Sequence, residues 1–519
     1  MQRTIRWQVN KRTNCLTDLC CSDAVSIETE LKLHISPEHL QRLKRHPFLR
    51  SLTSGRARTQ KLTSIYYDTP DLALRRHAMA LRLRNVGKQW IQTLKGGGQV
   101  SAGLHQRNEW EAPVPSEQLD FDVLKDCGGT LPHGARHRLR PVFITDFSRN
   151  IRLVEYKGAQ IELCMDSGEI RAGHQSYPIS EVELELKSGQ PRQLFKLAMA
   201  LLDIVPMRVE HTSKAEYGYR LFTVSKPSVM KGGFSPLHKG QSVSDAMRSL
   251  IADCLSHVQS NVPGVLLRSD AEYLHQMRVG LRRLRVVLTI ALHSRPDVEL
   301  ASLREQVSEL CVVLGRSREW DVFVIQTLQP ISARFPEHEG LQEITRACER
   351  ARKKQHAGVE DELGSVDFQR MLLRFGAWMH SERLVVSPTS LKLFVSKSLK
   401  KRVKDVVNCR MALQTGDVDR LHRLRIACKK LRYCIEMFDS LFDREKSKTY
   451  LGVLADLQDV LGRFNDHAVA HRLADTLDSK VRHEVIALIH EYLEQDVEEL
   501  DAEFSSAWER FAKLKTCWE

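Results

Sequence analysis

Residues 26–33, S-I-E-T-E-L-K-L, place Glu28, Glu30 and Lys32 at every second position, with Ile27, Thr29, Leu31 and Leu33 alongside them. Charged groups spaced by two share one face of a β-strand, and the apolar residues take the other. The alternation recurs. S-E-V-E-L-E-L-K sets Glu181, Glu183 and Glu185 on one face, and A-L-R-L-R-N sets Arg82 and Arg84 opposite Leu81 and Leu83. Further bases lie on or beside strand-like segments: Lys95 in I-Q-T-L-K, Arg107 in L-H-Q-R-N-E-W-E, Arg149 in D-F-S-R-N and Lys214 in H-T-S-K-A-E-Y. Asp166 closes the run I-E-L-C-M-D. Carboxylate oxygens are hard ligands suited to Mg²⁺ or Mn²⁺, whereas the His and Cys that favour zinc are missing from these faces. Arg forks and Lys point charges neutralise phosphate oxygens, and a cation bridging phosphates can activate a water for in-line attack.

Any one of these strands reads most simply as the solvent face of an antiparallel sheet. Together they segregate acids onto some strands and bases onto others, and a sheet closed into a barrel would bring those faces together inside. Such an interior cannot stay dry at tolerable cost; water, a divalent cation and a phosphate chain would make it stable. K-G-G-G-Q, residues 95–99, lacks the G-K-[ST] of a phosphate-binding loop and reads as a hairpin turn.

The elements that must position these residues change character once along the chain. Period-two runs at 27–33, 79–84, 90–95, 107–114, 151–156, 160–165 and 181–187 read as strands, with helical patterns at 37–44 and 191–202. A stretch rich in Ser, Gly, Pro and Lys follows at 224–240 and reads as a linker. Beyond it the period is 3.6 to the end. The expected organisation is an extension at 1–23, an α+β domain at 24–223, the linker, and an all-α domain at 241–519.

That α half repeats itself. L-H-Q-M-R-V-G-L-R-R-L-R-V-V-L at 274–288 returns 147 residues later as L-H-R-L-R-I-A-C-K-K-L-R-Y-C-I, and L-G-R at 314–316 returns at 461–463, with Asp321 then answering to Asp466. Two similar helical units about a pseudo-twofold axis are expected. His275, Arg278, Arg282 and Arg285 form a stripe at spacings of 3, 4 and 3, and His422, Arg425, Lys429 and Arg432 repeat it. A solvated cationic face is the simple account. Duplication favours two stripes facing each other across a basic groove for an extended polyanion.

Of the 519 residues 42% are hydrophobic, enough for substantial cores, and the net charge is +13. Residues 1–240 hold 36 Lys and Arg against 24 Asp and Glu, while residues 241–519 hold 42 against 41. A basic half that also carries carboxylate clusters suits a metal-bound polyanion and argues against a simple nucleic-acid arm. No run nears the roughly 18 uncharged apolar residues of a membrane helix, and the first residues have no apolar signal core, so a cytoplasmic chain with no membrane partner is expected. The 12 cysteines include no C-x-x-C pair, and Cys15, Cys20 and Cys21 form the one cluster, which fits reduced thiols.

E-T-E-L-K resembles the E-x-E-x-K signature of the CYTH domain, the triphosphate tunnel metalloenzymes. The likeness continues through Y-Y-D-T-P-D at 66–71, A-L-R-L-R, T-L-K, G-L-H-Q-R, the triple-Glu strand and S-K-A-E-Y-G-Y, over about residues 24–222. It implies an eight-stranded antiparallel tunnel that hydrolyses a linear triphosphate with Mg²⁺ or Mn²⁺. On this likeness Glu28, Glu30, Glu183 and Glu185 serve the metal, Asp166 joins them directly or from behind, and Lys32, Arg82, Arg84, Lys95, Arg107, Arg149 and Lys214 hold phosphates. Glu28, Glu30 and Lys32 are the first choices for catalysis. Which members of the triple-Glu strand bind metal stays open, since three alternate residues compete. H-x-x-R-V-x-x-R-R-x-R, in duplicate on helices, resembles the CHAD domain over about residues 240–518, which implies binding of inorganic polyphosphate. The second copy departs by placing Lys429 and Lys430 where the first has Arg282 and Arg283, keeping charge but losing forks. The expected function is hydrolysis of inorganic triphosphate to pyrophosphate and phosphate. The alternatives are a non-catalytic polyphosphate-binding protein, or a tunnel acting on ATP or thiamine triphosphate.

Overall fold

The computed structural model describes residues 26–225, 228–381, 390–411, 418–477, 483–495 and 497–518. The expected 1–23 extension, the clustered cysteines within it and part of the 224–240 linker lie outside these residues. Nine strands are formed: β1 (Ser26–His34), β2 (Thr53–Asp68), β3 (Met79–Val86), β4 (Gln89–Ser101), β5 (Leu104–Val114), β6 (Arg140–Tyr156), β7 (Ala159–Ala172), β8 (Gln175–Ser188) and the two-residue β9 (Arg208–Val209). They hydrogen-bond in the order β5-β4-β3-β2-β6-β7-β8-β1-β9, and β1 also pairs with β5. That last pairing closes eight antiparallel strands into a barrel. β9 lies against β1 through Leu33–Val209 and His34–Arg208.

The alternation in β1 now has a direction. Leu31 and Leu33 are 0% and 1% exposed in a core shared with the flanking helices α1 (Pro37–Arg45) and α2 (Arg192–Leu202), so the charged face must point into the barrel. A third helix, α3 (Lys214–Thr223), starts where Ser213 accepts a hydrogen bond from the Glu216 N–H at 3.2 Å. Its first residue is Lys214, read from sequence as lying on or beside a strand.

Two strand readings need correction. β2 was not apparent in the sequence, because S-G-R-A-R-T-Q-K at 54–61 shows no alternation; it is held by pairing with β6, from Arg58–Ile151 to Asp68–Arg140. K-G-G-G-Q is not the hairpin turn. β4 runs through it with a register shift between Gly96 and Gln99, and the reversal comes at Ala102 and Gly103. Gly98 sits at φ +110°, where an added Cβ would lie 2.0 Å from the Gln106 carbonyl oxygen.

The helical half contains α4 (Val243–Leu266), α5 (Ala271–Ser294), α6 (Val298–Val322), α7 (Glu339–Gly364), α8 (Val366–Met379), α9 (Leu391–Met411), α10 (Val418–Phe438), α11 (Arg444–Asp475), α12 (His483–Glu494) and α13 (Val497–Ala512). The repeat is visible as α4-α5-α6 answered by α9-α10-α11. Leu274, Met277, Leu281, Leu284 and Leu288 of α5 are buried, as are Leu424, Cys428, Leu431 and Ile435 of α10. Helix α8 seats this half on the barrel's helices. A Cβ on Gly376 would lie 2.0 Å from the Phe195 ring, Gln369 Oε1 accepts the Val209 N–H at 2.8 Å, and Arg370 pairs with Asp203 at 2.7 Å. Among the described residues no helix is long and apolar enough to cross a membrane.

Gly98→Ala is expected to destabilise the chain by about 1–3 kcal/mol, because the side chain meets both a left-handed backbone and a neighbouring carbonyl. A urea midpoint lowered relative to the parent chain is the measurement.

Candidate functional site

The barrel encloses a cavity of about 350 Å³, and its lining carries seven carboxylates (Glu28, Glu30, Glu109, Glu111, Glu162, Glu183, Glu185) and eight cationic side chains (Lys32, Arg82, Arg84, Lys95, Arg107, Arg149, Lys187, Lys214). A near-balanced mixture suits neither a bare anion nor a bare cation. It matches a polyanion that brings its own cation.

Strand register makes the juxtapositions. Glu28 stands opposite Arg107 and Glu30 opposite His105 across β1–β5, while Glu30, Lys32 and His34 face Glu185, Glu183 and Glu181 across β1–β8. β6 and β7 add Arg149 opposite Asp166. Lys32 Nζ lies 2.9 Å from Glu30 Oε1 and also pairs with Glu183. Lys95 pairs with Glu28 and lies 3.3 Å from Glu109. Arg149 donates from Nε and Nη2 to the two Asp166 oxygens at 2.8 and 2.7 Å, and it also bonds Glu183.

Burial and these neighbours set the protonation states. Burial works to raise Glu30, but Lys32 and Lys95 overcome it and hold the carboxyl at about 2. Burial opposes the ionised Glu183 as well, and Lys214, Lys32 and Arg149 hold it well below the ordinary carboxylate range. Glu28 goes the other way, raised by burial and by Glu30. Arg84 falls to about 10 through burial and the charges of Arg82 and Arg149. Its Nε donates to Ser64 Oγ at 3.1 Å, and Arg107 Nη2 lies 3.4 Å from His105 Nδ1. Neither arginine forms an ion pair among the described residues.

Glu28, Glu30, Glu183 and Glu185 meet in the lumen as the sequence suggested, and so do all seven predicted phosphate-holding bases. Asp166 does not. Fully buried on the inward face of β7 but outside the cavity lining, it is taken up by Arg149 and by Lys214, whose Nζ is 2.8 Å from Asp166 Oδ2. Oxygens of Asp166, Glu181 and Glu183 come within 4.8 Å of one another, as a metal site would require. Lys214 Nζ pairs with all three. The lumen carboxylates do fit a hard divalent ion, being oxygen donors beside bases that can turn to phosphate. Sequence reading missed Glu109, Glu111, Glu162 and Lys187. The signal was present: R-N-E-W-E puts Glu109 and Glu111 on the Arg107 face, and I-E-L-C puts Glu162 in step with Asp166.

The helical half holds a second cavity, of about 700 Å³, lined by His275, Arg278 and Arg282 of α5 and by His422, Arg425 and Lys429 of α10. The two stripes do face each other. Arg278 is anchored by donating to the Leu314 and Gly315 carbonyls at 3.0 and 2.7 Å, and His422 Nδ1 lies 2.8 Å from Asn465 Oδ1. Burial, Arg425 and Arg282 push the Lys429 ammonium down to about 6.

Each stripe loses its last member. Arg285 lines a neighbouring concavity with Arg304, Arg402 and Lys430, and Arg432 donates to Glu436 at 2.8 Å. Ten residues at about 1.5 Å rise carry Arg285 about 15 Å along the helix axis from His275, past the end of the groove. The Asp pair also diverges: Asp466 lines the groove, whereas Asp321 is buried against Arg352 and His356 at 2.7 and 2.9 Å.

Residues 26–219 match the CYTH domain family and residues 249–475 the CHAD domain family. The chain joins a CYTH domain to a CHAD domain. The CYTH part is 36% identical over 196 residues to a protein of Haemophilus influenzae named inorganic triphosphatase; the match covers 37% of this chain and 54% of that one, so the chain spans about half of that relative. An uncharacterized protein of Mycobacterium tuberculosis is 25% identical over 457 residues, covering 80% of this chain and 83% of its own. Among solved structures, the CHAD domain of the plant Ricinus communis superposes at a TM-score of 0.51 with 29% identity, covering 56% of this chain and 98% of that domain.

Lys214→Met is expected to leave Asp166, Glu181 and Glu183 buried without their shared cation and to cost about 3–5 kcal/mol at neutral pH. Protonation relieves the repulsion, so the loss should be smaller at pH 5 than at pH 8, as read from urea midpoints at the two values.

Proposed function

We propose that the CYTH tunnel hydrolyses inorganic triphosphate to pyrophosphate and phosphate with Mg²⁺ or Mn²⁺, and that the CHAD groove binds inorganic polyphosphate. The observation that carries the first part is the lumen itself, with seven carboxylates interleaved with eight bases on one enclosed surface. The triphosphatase name of the Haemophilus influenzae relative supports the same reading for this domain. Glu28, Glu30, Glu183 and Glu185 would hold the cation, which would screen phosphate charge and activate water. Lys32, Arg82, Arg84, Lys95, Arg107, Arg149 and Lys214 would bind and align the phosphates. Arg84 and Arg107 bring charge that no ion pair among the described residues takes up. Lys32 and Arg149 hold the Glu183 side of the site in place, and Asp166 and Glu181 act from behind by fixing Arg149 and Lys214. In the helical half the two facing stripes support polyphosphate binding at His275, Arg278, Arg282, His422, Arg425 and Lys429. Arg285 and Arg432 fall outside that groove.

Phosphate release from inorganic triphosphate, ATP and thiamine triphosphate, with Mg²⁺, Mn²⁺ or chelator, tests the first part. Metal-dependent release should be fastest from inorganic triphosphate, and Glu28→Gln or Glu30→Gln should lower it by at least about a hundredfold in a chain that still folds. Preference for ATP would change the substrate, and no release from any of the three would leave a binding protein.

Binding of long-chain polyphosphate should weaken steeply with salt and be lost when Arg278, Arg282, Arg425 and Lys429 are all Ala. Lys429 is mostly neutral in the empty groove at pH 7, and a bound anion restores its proton. Affinity should therefore fall about tenfold per pH unit above pH 6 until the ordinary ammonium range is reached, and Lys429→Met should flatten that slope.

A further inference from the structure

Where the barrel meets the helical half, a third cavity of about 570 Å³ has a different chemistry from the other two. Val209 of β9, Leu221 of α3, Val262 and Leu266 of α4, and Phe368 and Leu372 of α8 make it largely apolar. Tyr177 and Tyr217 line it as a stacked pair, with ring centroids 4.5 Å apart and planes 14° from parallel. Glu210 is already engaged there, accepting from the Thr212 N–H at 2.7 Å and from the Tyr217 hydroxyl at 3.1 Å.

Gln259 of α4 is not engaged. It lines the cavity at 4% exposure, and among the described residues neither its Nε2 nor its Oε1 has a hydrogen-bond partner. Buried amides are almost always paired, and an unpaired one is destabilising. Pro263 stands four residues on in the same helix and has no N–H, so the regular helical bond onto the Gln259 carbonyl is also absent. His211, on the barrel side, has an Nδ1 without a partner among the described residues, and burial together with Arg107 and Arg220 brings its ring down to about 4, leaving it neutral. Arg208 and Arg220 also line it, Arg208 Nη2 lying 3.3 Å from His34 Nδ1 and Arg220 Nε pairing with Glu216 at 3.2 Å, while the apolar walls and the aromatic pair suit an organic occupant rather than a bare ion. A purely apolar occupant would leave the amide unpaired.

We propose that this junction cavity binds a flat heteroaromatic molecule whose edge carries a donor beside an acceptor, the pattern of an adenine base, with Gln259 reading that edge. A glutamine amide matches adenine N6 and N7 with two hydrogen bonds, and the apolar walls and the tyrosine pair suit the ring. The site is independent of the tunnel chemistry. It does adjoin the tunnel wall: the Glu210 N–H donates to the Lys32 carbonyl at 2.8 Å.

The test is calorimetric titration of the full chain with adenine, adenosine and AMP in excess inorganic triphosphate and chelator, which keeps phosphate groups off the tunnel and the groove. At least one of the three should bind saturably, the tightest separating a free base from a nucleotide. Gln259→Leu should weaken that binding at least tenfold, and Leu266→Trp, which fills the cavity, should abolish it. Triphosphate turnover in both variants should match the parent chain. Because Leu removes an unpaired amide, Gln259→Leu should also raise the melting temperature of the unliganded protein. Absence of saturable binding, binding indifferent to Gln259→Leu, or a melting temperature lowered by that change would each overturn the proposal.

Discussion

Charge neutralisation inside a closed barrel is the constraint on which the rest of this structure depends. Fifteen ionisable side chains line one cavity, and none could be buried alone without a large desolvation penalty. The solution is sharing. Lys214 serves Asp166, Glu181 and Glu183, Arg149 serves Asp166 and Glu183, and Lys32 serves Glu30 and Glu183. Glu183 is thus the hub, held ionised by three cations against its burial. The pairs require several elements at once: β1, β6, β7 and β8 in register, and α3 starting where its Ser213 cap places Lys214.

The two polar cavities answer electrostatics differently. In the tunnel five of the seven carboxylates pair with a base, while Arg84 and Arg107 form no ion pair among the described residues. In the groove Arg278, Arg282, Arg425 and Lys429 converge beside Glu319, Asp419 and Asp466, and burial with mutual repulsion shows in Lys429 dropping to about 6 and Arg278 to about 10. A region of nearly neutral overall composition therefore hides a focused cationic site, which a sum over residues conceals.

The two halves are also continuous in their packing. One apolar core includes Leu31 and Leu184 of the barrel, Phe195 of α2 and Phe375 of α8. Gly376 lets α8 approach the Phe195 ring, and Gln369 ties α8 to β9. The strip from β9 through Thr212 is bonded to β1 on one side and touches the junction cavity on the other. The same segment leads directly into Lys214.

Much of this was legible without coordinates. The period-two alternation determined that Glu28, Glu30 and Lys32, then Arg82 and Arg84, then Glu183 and Glu185 each share a face, because side-chain direction in a strand is a local property. The repeat at an offset of 147 likewise determined matching helices and buried faces. Local pattern could not say which face closes inward; the β1–β5 pairing decided that. It could not find β2, whose polar first half is a strand only because β6 lies beside it. It left Asp166 either among the metal ligands or just behind them, and could not show that Arg149 and Lys214 reach it across the strands. Arg285 and Arg432 kept the type of their stripe but lie beyond the groove, since ten residues of helix rise about 15 Å. The chain itself determines which charges can share a face, and tertiary closure decides which of them meet, because burial makes pairing obligatory.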